Sequence, residues 1–274
     1  RRKVEADRRE DAVGDAALLE IARVLWNRRK DLRRSVWIAW WPGHSTGRYA
    51  GSTWFADHYA QALYQSCIAQ VNCDSPGCRW ATEYYDISWM PETESFCQSI
   101  IRDITGKESQ GSRPFQAGDY SFNNIGISSY FMLLSTMSKE ARAEKGYYAV
   151  GGCGANIAWH TEDDQLEIAD PAILATDIKI YLAAVMETAN ATIAPFDFSR
   201  TLADFRATLT KYQAAAGEAF SFAPSLAAVA SLEHAVAALG RRAGALSGLP
   251  ATDPAVAGVN WALRRLARYL VPAN

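Results

Sequence analysis

Ser35-Val36-Trp37-Ile38-Ala39-Trp40-Trp41, closed by Pro42 and Gly43, is the stretch on which the fold turns. A short, nearly continuous apolar run suits a strand covered on both faces, as in a parallel sheet. Upstream, over residues 15–29, Ala16, Leu18, Leu19, Ile21, Ala22, Leu25 and Trp26 recur at helical spacing and predict a helix packed on that sheet. The charged residues 28–34 form the turn between them. Downstream, Pro42, Gly43 and Gly47 end the strand and a second helix is predicted over residues 52–65. Residues 67–73 read as the next buried strand, ending at Asp74 with Pro76 and Gly77 just beyond. Residues 92–105 read as helix, 126–134 as strand-like, and 167–189 as a long helix beginning near Asp170-Pro171.

Helix, strand, helix, strand in this order indicates an α/β domain with a mostly parallel sheet flanked by helices. In such sheets, ligands sit beyond the carboxyl ends of the strands. His44 and Asp74 both fall there. After Pro195 the chain becomes Ala- and Leu-rich, with helical periodicity in residues 198–216, 223–239 and 254–270, separated by Gly240, Gly244, Gly248 and Pro250. The expected organisation is therefore an α/β domain over residues 1–192 and an all-helical subdomain over 193–274.

Composition sets the limits. A net charge of −2 gives no electrostatic reason to expect nucleic acid or an anionic membrane as partner. No uninterrupted apolar run approaches the roughly 20 residues needed to cross a bilayer. Arg1, Arg2 and Lys3 open the chain without the apolar stretch of a secretion signal, so a cytoplasmic location is the default, one that a trimmed N-terminus would leave open. Residues 1–10 show no apolar periodicity, and a buried sheet needs more strands than those that follow, so N-terminal truncation is expected.

Cysteines 67, 73, 78, 97 and 153 are odd in number, which rules out a complete disulfide framework and favours reduced, buried thiols. Cys73 and Cys78 stand at C-x4-C spacing but lack a second pair for a structural zinc site. His58 and His234 read as surface or packing histidines. Gly151-Gly152-Cys153-Gly154 lacks the residues of a phosphate loop and reads as a flexible turn before His160. Most of the tryptophans read as core, with Trp41 and Trp159 placed to line an apolar pocket.

Four segments together resemble peptidase family M28, the zinc aminopeptidases and glutamate carboxypeptidases. Residues 11–23 (Asp11-Ala-Val-Gly-Asp-Ala-Ala-Leu-Leu-Glu-Ile-Ala-Arg23) are similar to the helix that follows the family's bridging aspartate. Residues 34–43, with Gly47 and Gly51-Ser52, resemble the strand and loop carrying its paired glutamates. Asn72-Cys73-Asp74-Ser75-Pro76-Gly77 resembles the strand end that supplies a metal-binding aspartate, and Trp159-His160-Thr161 the segment carrying the last histidine ligand. The helices after residue 195 resemble the dimerisation domain of the glutamate-carboxypeptidase branch.

The resemblance implies two zinc ions, one bridging carboxylate, a glutamate acting as general base on a metal-activated water, and cleavage of a peptide or small amide. It places Asp74 and His160 as metal ligands, Glu10 at the bridging position, and Asp119 in a loop near substrate. It also exposes a departure: His44 stands in the place of the general-base glutamate and Ser45 in that of a glutamate ligand. A serine hydroxyl is a poor zinc ligand, whereas imidazole can ligate or act as a base near neutral pH. The expectation is one divalent ion, zinc or another, held by Asp74, His44 and His160, with a homodimer formed through the C-terminal helices. The rival expectation is a catalytically inactive module kept for binding or dimerisation, as in the transferrin-receptor branch, or a fragment.

Overall fold

The computed structural model describes the backbone of residues 10–44 and 47–274, with side chains from Ala12 onward among the first residues. The expectations for residues 1–9, for Ser45 and for the Glu10 side chain lie outside the described residues.

Helix α1 (Glu10–Asn27) buries Ala17, Ile21 and Leu25, the face its periodicity marks. The second predicted helix is broken in two, α2 (Ala50–His58) and α3 (Ala60–Ser66), with Tyr59 between them. Strand β1 (Ala69–Val71) follows, then β2 (Ile87–Ser88) and α4 (Glu94–Thr105), entered through a 3-10 turn over Pro91–Thr93. Strand β3 (Gly111–Ser112), helix α5 (Gly118–Asn123), strand β4 (Ser128–Tyr130) and helix α6 (Lys139–Lys145) complete the smaller elements. β3, α5 and α6 carry too few apolar residues to register as periodic, and sequence reading passed over them.

The strands form two short parallel pairs. β1 runs beside β4, with Ala69, Gln70 and Val71 opposite Ser128, Ser129 and Tyr130. β2 runs beside β3, and an antiparallel bridge between Trp89 and Tyr130 joins the two pairs into one layer. Residues 35–41, expected as a buried strand, are extended but belong to no ladder among the described residues. Over residues 35–38 the side chains alternate as a strand's do, with Val36 and Ile38 packed on the core and Trp37 61% exposed. The local sequence dictates the extended backbone. A ladder needs a neighbour at strand spacing, and none of the described segments supplies one.

Helix α7 (Pro171–Asn190) crosses the layer and packs on α1 and α4. Its start is written in Asp170-Pro171: the Asp170 carboxylate accepts the amide hydrogens of Ala172 and Ile173 at 2.9 and 3.1 Å. The tail forms α8 (Phe198–Ala216), α9 (Ala223–Leu246) and α10 (Pro254–Leu270), with Asp197 and Asp253 capping the first and last. Helix α9 is, by length and composition, apolar enough to cross a membrane. It lies along α8 and α10, and Glu233 at its middle pairs with Arg206 of α8 at 2.5 Å.

One apolar cluster runs from Ile21 and Leu25 of α1 through Trp89, Tyr130, Phe131 and Tyr181 to Leu202, Val259 and Leu270 of the tail. Two buried polar clasps reinforce that junction. Glu92 accepts the hydroxyl hydrogens of Ser128 on β4 (2.5 Å) and Thr201 on α8 (2.8 Å). Arg268 of α10 donates to the carbonyls of Leu63, Tyr64, Cys67 and Gly126, satisfying the C-terminal end of α3.

Candidate active site

A cleft of about 1230 Å³ opens where α1, residues 35–43, the end of β1 and α7 face one another. β1 stops at Val71, so Asn72, Cys73 and Asp74 leave the sheet at its carboxyl edge and border this cleft. The first turns of α1 lie directly on that exit. A Cβ on Gly14 would stand 2.3 Å from the Asp74 carbonyl oxygen and 2.6 Å from that of Cys73, so only glycine permits the approach. Asp15, next to it, also borders the cleft, and burial raises its carboxyl above the usual range.

His44 borders the same cleft. It is held by a tight turn in which the Tyr49 amide donates to the carbonyls of Gly43 (3.0 Å) and His44 (2.9 Å). Gly43 takes φ 81°, and Arg48 and Tyr49 are also left-handed. The Tyr49 ring meets the imidazole edge-on at 5.2 Å, and its hydroxyl donates to the Gln116 carbonyl. His44 and Asp74 thus both border this cleft.

The remaining expected site residues are placed differently. His160 is exposed, sits at φ 60°, and stacks on Trp159 at 4.0 Å. It does not border the cleft, so the trio His44, Asp74 and His160 is not brought together. The backbone explains this: residues 151–160 form a chain of turns around left-handed Cys153, Gly154, Ala155 and His160, and direct the ring onto Trp159 instead. Glu10 is the first residue of α1, and its side chain lies outside the described residues. Among the described residues no group of three His, Cys, Asp or Glu side chains gathers closely enough to hold a metal ion. The described donors thus do not fit the metal centre that the resemblance implies.

Asp119 is wholly buried, so a direct contact with substrate, expected from its loop, is not met in this arrangement. Burial pushes its carboxyl up to about 7. The charge of Asp74 adds to the rise, while Ser129 and Asn72 oppose it without coming into hydrogen-bond geometry. Asp119 does not border the cleft, but it stands near enough to Asp74 to feel that residue's charge.

Sequence reasoning missed Asp177. It occupies the inward face of α7 with Ile180, Tyr181 and Ala184, and it is fully buried. Its Oδ2 accepts from the Gly77 amide (2.8 Å) and the Ser135 hydroxyl (2.6 Å), pinning the loop that follows Asp74. The signal was available, since an acidic residue at an apolar position of an amphipathic helix needs buried donors.

The family profile of peptidase family M28 matches residues 9–185. This chain belongs to peptidase family M28. No curated protein matches it. Among solved structures it is similar to a zinc aminopeptidase from Bacillus subtilis, at 16% identity and a TM-score of 0.48 over 68% of this chain. The matched region spans 43% of that aminopeptidase.

Proposed function

We propose that this M28 chain carries the substrate cleft of a hydrolase acting on peptides or small amides. The observation that supports it is that His44 and Asp74 border one cleft, Asp74 just beyond the carboxyl end of β1, and that its volume accommodates a short peptide. Asp74 supplies a fixed negative charge at the end of β1. His44 supplies an imidazole that can take up or return a proton across the opening. The apolar wall from Leu18 and Ile21 through Val36 and Ile38 favours an apolar side chain on the substrate.

The family implies a divalent metal, zinc or another, that would polarise the scissile carbonyl and activate water. Because the described donors do not converge, no step is routed through it. That same observation favours a second reading: an M28-type module retained for binding, with its catalytic centre altered. We further propose a homodimer formed through the helices after Pro195. An apolar groove between α9 and α10, lined by Val236, Leu239, Trp261 and Tyr269, supports that reading.

Metal content and turnover separate the two readings. The protein would be reconstituted with zinc, manganese or iron, dialysed, and assayed on a panel of aminoacyl anilides. The hydrolase reading expects turnover in at least one reconstituted sample, abolished by His44→Ala. No retained metal together with no turnover sinks it and leaves the binding module.

A further inference from the structure

We propose that Cys78 and Cys153 form a disulfide, a redox-dependent staple between the loop that follows Asp74 and the glycine-rich turn that precedes His160. Their Sγ atoms stand 3.2 Å apart although 75 positions separate them in the chain. A disulfide bond is about 2.0 Å long, so the two sulfur atoms must approach by about 1 Å more for closure.

The backbone on both sides is already fixed for it. The Cys153 amide donates to the Ser75 hydroxyl at 2.9 Å, and the Cys78 thiol donates to the Ser75 carbonyl at 3.3 Å. Cys78 is bridged in antiparallel fashion to Ala169, and the Gly77 amide is held by Asp177. Gly154 makes the approach possible: it takes φ 58°, and a Cβ there would lie 2.9 Å from the Cys78 Cβ and 2.6 Å from that of Ala81. Cys153 itself is left-handed at φ 50°, a conformation a non-glycine residue adopts only where its surroundings impose it. An odd cysteine count forbids pairing all five thiols. It does not forbid one bridge, and Cys67, Cys73 and Cys97 would remain as thiols.

The oxidant is a low-molecular-weight disulfide such as oxidised glutathione. One cysteine thiolate attacks a sulfur of the glutathione disulfide, expelling one glutathione thiolate and leaving a mixed disulfide on the protein. The second cysteine thiolate then attacks the protein sulfur of that mixed disulfide and expels the other glutathione. Two protons and two electrons pass from the cysteine pair to glutathione. Both thiols are buried, and the Cys78 thiol is pushed well up, first by its neighbour Cys153 and then by burial, so exchange proceeds during folding or when the turn at residues 151–154 opens. The bridge stands independently of the hydrolase reading, because its readout is covalent.

The test uses the full chain equilibrated in oxidised or reduced glutathione, then denatured in an alkylating reagent and mapped by mass spectrometry. In the oxidised sample, a peptide pair linked through Cys78 and Cys153 is expected, with the other three cysteines alkylated. All five are alkylated in the reduced sample. The oxidised protein should melt about 10 °C above the reduced one, from the loop length closed, and the Cys78→Ser/Cys153→Ser double variant should lose that difference. Five alkylated cysteines in the oxidised sample, or a bridge to any other cysteine, overturns the proposal. The wild-type map alone decides if the variant does not fold.

Discussion

Asp177→Asn is a test of how burial and hydrogen bonding balance at the centre of this fold. The Asp177 carboxyl has no exposed surface, and burial lifts it from its ordinary value of 3.8 to about 6 against the pull of Ser135, Gly77 and Tyr84. A carboxyl raised in the folded state contributes fully to stability below its unfolded value, near pH 4. It loses that contribution as pH climbs through the folded value near 6. A gap of about two pH units corresponds to about 3 kcal/mol of stability lost between pH 4 and pH 8.

Asparagine preserves the geometry. Its amide oxygen can take the place of Oδ2, which accepts from Gly77 and Ser135, and its amide nitrogen can face the Tyr84 hydroxyl, 3.5 Å from Oδ1. Because asparagine does not ionise, the variant escapes the loss. Urea denaturation of both proteins from pH 4 to pH 8 should show curves within about 1 kcal/mol at pH 4. They should diverge to about 3 kcal/mol in favour of Asp177→Asn at pH 8. Curves that stay parallel, or a variant uniformly weaker, would refute the reasoning. They would mean that the three donors hold the carboxylate more tightly than burial disfavours it.

Other perturbations probe the remaining joints. Gly14→Ala places a methyl 2.3 Å from the Asp74 carbonyl, so α1 must shift. A loss of about 1–3 kcal/mol in thermal or urea denaturation is expected, and an unchanged midpoint counts against the close approach. Arg268→Met removes the donors that satisfy the end of α3 from the tail. It should cost about 3 kcal/mol, and retained stability would show that α3 ends without help from α10. Trp261→Glu puts a charge into the groove between α9 and α10. If that groove forms the homodimer, light scattering should record a fall from dimer to monomer mass, whereas a wild-type monomer at high concentration would exclude the dimer.

Local chemistry is what a single sequence states most clearly here. Helices α7, α8 and α10 begin where an aspartate precedes the first turn, and α8 and α10 end where their apolar period ends. The positions of His44 and Asp74 at the carboxyl ends of extended segments were also legible, because strand ends follow from apolar runs stopped by Pro and Gly. Pairing was not legible. Residues 35–41 have a strand's composition, yet a ladder depends on a second segment arriving at hydrogen-bonding distance, which no local pattern encodes. Convergence was not legible either: His160 matches a family motif, yet the left-handed turns around Cys153 and Gly154 lay it against Trp159, outside the cleft. Those same turns bring Cys153 to Cys78, a contact hidden from the sequence by the 75 positions between them. The sequence by itself determined the long helices α1, α4, α7, α8 and α10, the aspartate caps of α7, α8 and α10, and the placement of His44 and Asp74 at the ends of extended segments, since these depend on neighbours within a few residues. Only the tertiary structure decided which of those side chains share a cleft, because that depends on loops whose backbone dihedrals are set by packing against distant elements.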